Sequence, residues 1–107
     1  MPNNIKKILR ELKKGLVEIY GDQLKAVYLY GSFARGEGRL PDSDIDVMIV
    51  LEGEFNYQEV ERRSIEFVAS LCLTHDVVII CHYVSADRYV ESKMPFMLSV
   101  RRDAVPV

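Results

Sequence analysis

Residues 30–50 read YGSFARGEGRLPDSDIDVMIV, and most of the structural and chemical information in the chain lies in this stretch. A glycine-containing loop occupies its first half and follows an apolar run that predicts a strand. The second half reaches Asp44 and Asp46 and continues into apolar residues, which predicts a strand buried on both faces. Because side chains alternate along a strand, Asp44 and Asp46 are predicted to project from the same face.

Helix and strand patterns alternate on both sides of this stretch. An amphipathic helix is predicted from Asn4 to Tyr20, because apolar residues recur at helical spacing and Gly21 follows as a stop signal. The residues of its apolar face are Ile5, Ile8, Leu9, Leu12, Leu16 and Ile19. Strands are predicted at 24–30, 44–51 and 76–84, one helical turn at 33–36, and helices at 57–73, at 85–90 and from 95 onward. This order predicts an α/β (α+β) fold in which helices pack against a small mixed β-sheet.

Size and composition are those of one globular domain. The chain has 107 residues, which predicts a single domain over residues 1–107. Its net charge of −2 gives no electrostatic case for a nucleic-acid or membrane partner. No apolar run reaches membrane-spanning length, the N-terminus does not resemble a signal peptide, and Cys72 and Cys81 are predicted to be free thiols. These features predict a cytoplasmic protein.

The paired carboxylates predict a metal site. Two like charges held close together repel each other, and a protein keeps such a pair mainly when a cation lies between them. Magnesium prefers hard oxygen ligands and completes its shell with water and substrate phosphates, so Asp44 and Asp46 are predicted to bind Mg²⁺. Asp76 is the leading candidate for a third ligand, because it is predicted to begin the third strand. If the two strands are neighbours, the three acids converge on a two-metal site, where Asp76 can accept a proton from an acceptor hydroxyl.

The Gly31–Ser32 turn predicts an anion site. Glycine lets the backbone approach a ligand closely, and the amides of the turn and the Ser32 hydroxyl can donate to an anion. Gly31 and Ser32 are therefore predicted to bind the phosphates of a nucleotide. Arg35 either supports these phosphates or forms an ion pair with Glu37 or Asp42, and the sequence leaves both interpretations open.

Gly31-Ser32, a spacer and Asp44-x-Asp46 on a strand together resemble the signature of the DNA polymerase beta-like nucleotidyltransferases, most of all the minimal nucleotidyltransferase group. The resemblance spans nearly the whole chain, since DVVI at 76–79 and PFMLSVRRDAVPV at 95–107 also resemble this group. It implies a nucleotidyltransferase fold, binding of ATP with two Mg²⁺ ions, and transfer of AMP to an acceptor hydroxyl. It also implies that Gly31 and Ser32 bind phosphate and that Asp44, Asp46 and Asp76 form the acidic triad.

The same resemblance implies a protein partner. Minimal members are often paired with a helical HEPN-type protein in toxin–antitoxin modules, in which the nucleotidyltransferase is the antitoxin and modifies a tyrosine of its partner. Larger relatives carry an added helical domain, so a partner subunit or a homo-oligomer is expected to supply those contacts here. Two other hypotheses stay open: a non-catalytic module that neutralises a partner by occlusion, and a transferase that acts on a small molecule.

Calcium binding is an alternative interpretation of the same acids. Asp42, Asp44 and Asp46 match the start of an EF-hand loop, but Val47 stands where that loop needs glycine, and Gly53 stands where it needs glutamate. The calcium interpretation is therefore not favoured. A turn role for Asp44 and a solvent-facing role for Asp46 remain as structural alternatives, as does a structural role for Asp76.

Zinc binding is the other alternative, because two cysteines and two histidines lie near one another in sequence. They are Cys72, His75, Cys81 and His82. Adjacent residues of a strand point to opposite faces, so Cys81 and His82 cannot both reach one ion. Their spacing also matches no common zinc site, and core cysteines with incidental histidines are the preferred interpretation.

Overall fold

Helices and strands alternate along the chain in the computed structural model, which describes residues 3–107. The helices are α1 (Asn3–Tyr20), α2 (Tyr57–His75), α3 (Ala86–Glu91) and α4 (Pro95–Asp103), and the strands are β1 (Leu24–Tyr30), β2 (Ile45–Leu51), β3 (Ile79–Ser85) and β4 (Val105–Pro106). A short 3-10 helix, Gly21–Gln23, joins α1 to β1. The predicted fold class, a small mixed sheet with helices packed against it, is confirmed. None of the helices in these residues is both long and apolar enough to cross a membrane.

The four strands form one sheet in the order β3-β2-β1-β4. β1 runs antiparallel to β2 and β4, whereas β2 and β3 are parallel. Tyr30 lies opposite Asp46, and Ile45 lies beside Ile79. The last residues of β1 and the first residues of β2 and β3 therefore meet at one end of the sheet, and β3 forms one of its edges.

Alternation of side chains gives this sheet two different faces. On the α1/α2 face lies the main core, which includes Ile8, Leu12, Leu16, Val27, Leu29, Val47, Ile49, Leu51 and Ile79. On the α3/α4 face lies a smaller core of Tyr30, Met48, Val50, Met97 and Val100. Asp46 is two residues before Met48 in β2, so its side chain projects from the α3/α4 face.

A network of buried hydroxyl groups joins α2 to α1 and β3 on the α1/α2 face. Ser64 is completely buried, and its Oγ lies 2.9 Å from the Tyr20 hydroxyl and 2.6 Å from the Tyr83 hydroxyl. Tyr20 also bonds to the carbonyl of Val60. Because each of these hydroxyls has a partner, the polar atoms are buried without an unsatisfied group, and the network holds β3 against α2.

The structure corrects the predicted start of the third strand. Asp76 does not begin a strand: it is the C-cap of α2, with φ 53° and ψ 51°, and its amide donates to the Cys72 carbonyl. β3 begins later, at Ile79. Aspartate tolerates this left-handed conformation better than most residues and can therefore end a helix in place of glycine. The apolar run after Asp76 indicated a strand correctly but gave the wrong first residue.

Candidate active site

Asp44 and Asp46 stand where β2 begins. Asp44 is exposed and precedes the strand, while Asp46 is its second residue and is partly buried opposite Tyr30. Burial raises the pKa of the Asp46 carboxyl above its usual range, and the negative charge of Asp44 raises it further. His82 and Arg35 oppose that rise. The negative charges of the two carboxylates therefore repel each other, and a cation beside them would stabilise the ionised form of Asp46.

Gly31 touches the Asp46 carboxylate directly. Its φ is +76°, a conformation that glycine adopts without a steric penalty. A Cβ atom built at Gly31 would overlap the Asp46 carboxylate. Glycine is required here for two separate reasons, the backbone conformation and the close approach of Asp46.

The loop after Gly31 folds back on itself. The Arg35 amide donates to the Gly31 carbonyl at 3.1 Å, and the amides of Glu37 and Gly38 donate to the Ser32 carbonyl at 2.8 and 3.1 Å. Within residues 3–107, the amides of Ser32, Phe33 and Ala34 donate to no protein acceptor. Three amide donors at the start of a helical turn suit an anion such as a phosphate.

Arg35 forms ion pairs at the surface of this loop. Its Nε lies 2.9 Å from Glu37, and one terminal nitrogen lies 3.0 Å from Asp103 at the end of α4. Hydrogen bonds to Glu37 and Asp103 raise the pKa of the guanidinium, which stays charged. Of the partners considered from the sequence, Glu37 is the one that Arg35 contacts.

The structure does not bring Asp76 to the other two acids. Asp76 is exposed at the end of α2, and no group of three or more acidic, histidine or cysteine side chains within residues 3–107 is placed to share a metal ion. The β3 residue in register with Asp46 is Ile80, which is apolar. A three-carboxylate arrangement therefore does not form among these residues.

His82 is a site residue that sequence reasoning missed. It lies beside Met48, and its Nδ1 is 2.8 Å from the Tyr30 hydroxyl. Burial, followed by the charge of Asp46, raises the pKa of Tyr30, so this hydroxyl stays protonated while it shares a hydrogen bond with Nδ1. The Phe96 ring lies 5.3 Å from His82 and 5.9 Å from Tyr30. The two-residue period of a strand places His82 on the same face of β3 as Ile80. That period could be read from the sequence, but placing His82 near Tyr30 and Asp46 required the register between β2 and β3.

The donor set fits magnesium in part. Asp44 and Asp46 offer hard carboxylate oxygens where β2 begins, and burial, followed by the charge of Asp44, raises the pKa of Asp46. Magnesium is commonly held by one or two carboxylates together with substrate phosphates and water. The residues present therefore suit one Mg²⁺ that a nucleotide helps to bind.

The zinc alternative finds no support within residues 3–107. His75 Nε2 is 2.6 Å from the Glu11 carboxylate, and Cys72 Sγ accepts a hydrogen bond from the Ile79 amide at 3.3 Å. Cys81 points toward α2, and burial raises the pKa of its thiol to about 12, so it stays protonated. These three side chains therefore make separate structural contacts and do not converge on a common metal position.

Similarity to known proteins extends over most of the chain. The family described as the nucleotidyltransferase domain matches residues 9–104. MJ0141 of Methanocaldococcus jannaschii, named for an inferred protein adenylyltransferase activity, is 33% identical over 72 residues, which are 67% of this chain and 71% of that protein. An aminoglycoside nucleotidyltransferase (4′) of Staphylococcus aureus is 40% identical over 55 residues, which are 49% of this chain and 21% of that enzyme.

A solved toxin–antitoxin structure with AMP-PNP is similar in fold. The TM-score is 0.63 at 16% identity, and the similarity covers 91% of this chain and 69% of the other. At this identity the similarity concerns the fold alone. It matches the arrangement of sheet and helices described above.

Proposed function

Because this chain belongs to the nucleotidyltransferase domain family, we propose that it transfers AMP from ATP to a hydroxyl of a partner protein, with Mg²⁺ as cofactor. The observation that carries the proposal is the interacting pair Asp44 and Asp46 beside the Gly31 loop. An anion site next to paired carboxylates is the arrangement that metal-assisted phosphoryl transfer needs.

In the proposed reaction, Asp44 and Asp46 would hold Mg²⁺ together with the phosphates of ATP. The ion, when bound, offsets phosphate charge and polarises the α-phosphate. The acceptor oxygen forms a bond to the α-phosphorus while the bond to the β-phosphate oxygen breaks, so pyrophosphate leaves. The hydroxyl proton passes to water, since the site is open and Asp76 lies outside it. One ion held by two carboxylates is a narrower proposal than the two-ion, three-acid arrangement predicted from the sequence.

The loop after β1 would orient the phosphates. We assign the amides and hydroxyl of the Gly31–Ser32 turn to the terminal phosphates, because three amides there are free to donate. Arg35 would reach the same phosphates by exchanging its Asp103 contact for a phosphate oxygen. Arginine is suited to this exchange, since it makes charge-assisted hydrogen bonds equally to carboxylate and phosphate.

The acceptor in this proposal is a tyrosine of a helical, HEPN-type toxin, and the chain is its antitoxin in the cytoplasm. Relatives such as MJ0141 are named for protein adenylylation, and the AMP-PNP structure is of a toxin–antitoxin system. The HEPN class and the tyrosine rest on the resemblance of the Gly31-Ser32 and Asp44-x-Asp46 motif to the minimal nucleotidyltransferases. A partner subunit or a second copy of this chain would complete the open face of the site.

The test is label transfer from ATP with a radioactive α-phosphate, in the presence of Mg²⁺, into lysate of the source cell. We expect one labelled protein band with the wild type and none with Asp46→Ala, whereas Asp76→Ala keeps labelling. The mass of the labelled band identifies the partner. A band of equal intensity with Asp46→Ala would contradict the proposal.

Transfer to a small molecule is the second candidate. The partial match to an aminoglycoside nucleotidyltransferase favours it, although that match covers 49% of this chain. A product search with free aminoglycosides and no protein partner separates the two: a modified aminoglycoside supports this candidate, and label in protein alone excludes it for the acceptors tried.

Protection of cells by Asp44→Asn and Asp46→Asn variants would instead support neutralisation of a partner by occlusion.

A further inference from the structure

Ile80 occupies the position on β3 that lies beside Asp46. The two residues are in register in the parallel ladder between β2 and β3. Side chains in register on neighbouring strands project from the same face, with the strands about 4.8 Å apart. Ile79 belongs to the main core on the α1/α2 face, so Ile80, the next residue, projects from the α3/α4 face with Asp46. A carboxylate at position 80 would therefore reach the same cation as Asp46.

No acid borders Asp46 on either neighbouring strand. Tyr30 lies opposite Asp46 on β1, and Ile80 lies beside it on β3. In the part of the chain that the structure describes, residues 3–107, no third acidic, histidine or cysteine side chain joins Asp44 and Asp46 in a group that could hold a metal ion. The centre therefore has two carboxylates where β2 begins and none from β3.

His82 does not supply the missing ligand. The residues that β3 places on this face are Ile80, His82 and Val84, and only His82 could bind a metal ion. His82 lies beside Met48, two residues farther along the strand than Ile80. Its Nδ1 is 2.8 Å from the Tyr30 hydroxyl. The histidine is therefore held by Tyr30, away from the two carboxylates.

The charges around the two carboxylates also limit the number of cations. In centres that hold two divalent cations the ions are about 3.5–4 Å apart, and the charge of their ligands must offset their repulsion. Asp44 and Asp46 supply only two negative charges. Arg35 is close enough to Asp46 to oppose the rise in its pKa. A positive guanidinium nearby makes a second cation less favourable still.

We infer that Ile80 limits this centre to one divalent cation, and that a carboxylate at position 80 would convert it to a two-ion centre. The inference rests on the proposed function and deepens it, because it assigns the number of cations to a single residue of β3. Ile80 is 37% exposed, so an acidic side chain at this position would stay in contact with water when no cation is bound.

A single cation changes how the acceptor hydroxyl is activated. In a two-ion centre one ion binds the attacking oxygen and the other binds the leaving oxygen. When Asp44 and Asp46 share one ion with the phosphates of ATP, the attacking oxygen has no ion of its own. The ion then arrives with ATP, so Mg²⁺ in excess of ATP should not raise the rate of the wild type. Excess Mg²⁺ should raise the rate of Ile80→Asp, which has a second ion to bind.

The main experiment counts Mn²⁺, a paramagnetic substitute for Mg²⁺, without any turnover. Electron paramagnetic resonance is recorded on the purified protein with an equal concentration of α,β-methylene ATP, which cannot be cleaved at the α-phosphate. We expect one bound Mn²⁺ per chain for the wild type and two for Ile80→Asp. Two ions about 3.5–4 Å apart couple their electron spins, so Ile80→Asp should show the spectrum of a coupled pair.

Two further substitutions supply the matched controls. Ile80→Asn has the shape of Ile80→Asp without its negative charge, and it should bind one Mn²⁺ with no spin coupling. Leu73→Asp adds an acid on α2 at a position that is 84% exposed, and it should also bind one. Ile80→Glu places a longer acid at the same position and replaces Ile80→Asp if that variant does not fold.

Three outcomes would overturn the inference. The first is a coupled Mn²⁺ pair in the wild type. The second is a single bound Mn²⁺ in a folded Ile80→Asp or Ile80→Glu protein. The third is a second Mn²⁺ in Ile80→Asn as well, because the negative charge is then not what binds it. In each case the proposed function survives if wild-type protein labels a cellular protein and Asp46→Ala does not. Absence of labelling by a wild type that binds one Mn²⁺ would contradict the proposed function and leave the cation count standing.

Discussion

At the scale of single residues, the proposed cation site depends on the environment of Asp46. Burial raises its pKa, and the charge of Asp44 adds to the effect. Because the folded state binds this proton more tightly than the unfolded state, the contribution of Asp46 to stability increases as pH falls through the raised pKa. Magnesium competes with that proton, so affinity for Mg²⁺ should rise as pH increases through the same range.

The first prediction separates the two causes of the raised pKa. Asp44→Asn removes the neighbouring negative charge, so the pKa of Asp46 should fall toward the usual value while remaining above it because of burial. Carbon-13 NMR of the side-chain carboxyl as a function of pH measures this shift. Asp42→Asn, an exposed position in the same loop, is the control and should leave the pKa of Asp46 nearly unchanged. An unchanged pKa in Asp44→Asn would refute the assigned interaction.

A second prediction concerns the two glycines of the loop. Gly31 and Gly36 have nearly equal φ values, +76° and +77°, but a Cβ meets the Asp46 carboxylate at Gly31 and meets no atom within 4 Å at Gly36. Both alanine variants should lose about 1 kcal/mol of unfolding free energy through backbone strain. Only Gly31→Ala should also displace Asp46, and transfer activity should fall by about a hundredfold or more.

Urea unfolding and label transfer, run on both glycine variants, check this prediction. If Gly36→Ala loses as much activity as Gly31→Ala, the loss comes from the loop backbone, and contact with Asp46 is not its cause.

At the scale of elements, α1 and α2 approach each other closely at Gly15. A Cβ at Gly15 would overlap the Phe67 ring, so Gly15→Ala should destabilise the fold by about 1–3 kcal/mol despite the higher helix propensity of alanine. Phe67→Leu removes the ring, and the double variant Gly15→Ala/Phe67→Leu should therefore be less destabilised than the sum of the two single variants. Denaturant unfolding of the four proteins measures this coupling. Additive losses would show that the ring and the new methyl group do not meet.

Elements with strong periodicity were predictable from the sequence. α1, β1 and α4 lie close to their predicted bounds, because apolar spacing, Gly21 and Pro95 mark them directly. β4 was missed, since two residues carry no recognisable pattern and the strand exists through its pairing with β1. Asp76 was misplaced because a left-handed helix cap and a strand start look alike when an aspartate precedes an apolar run.

The candidate site was likewise predictable where it depends on local sequence and not where it depends on the pairing of strands. The prediction that Asp44 and Asp46 project from one face came from local alternation along the predicted strand 44–51, although β2 begins at Ile45, and the prediction for Gly31 came from the turn after β1. The contact between His82 and Tyr30 requires β1, β2 and β3 in a particular register, which no local pattern specifies. That Asp76 lies outside the site could likewise be seen only once the end of α2 was known.

At the scale of the whole molecule, an ion pair joins the loop after β1 to α4. Arg35 contacts Asp103, whose pKa is lowered by hydrogen bonds from Arg102 and Arg35. Asp103→Asn weakens this pair and frees Arg35 for phosphate, so the KM for ATP should fall roughly two- to fivefold. Steady-state kinetics check the prediction, with Arg35→Ala expected to raise the KM. A raised KM in Asp103→Asn would instead mean that the ion pair positions Arg35 for ATP.

The central claim is that Asp44 and Asp46 form the centre of nucleotidyl transfer, and purified protein tests it most directly. Circular dichroism first shows that wild type, Asp46→Ala and Asp42→Ala are equally folded. Each protein is then incubated with Mg²⁺, α-labelled ATP and the acceptor. The labelled acceptor and the released pyrophosphate are both counted. We predict one pyrophosphate per labelled acceptor for wild type and Asp42→Ala, and neither product above background for Asp46→Ala. Undiminished transfer by a folded Asp46→Ala protein would contradict the account.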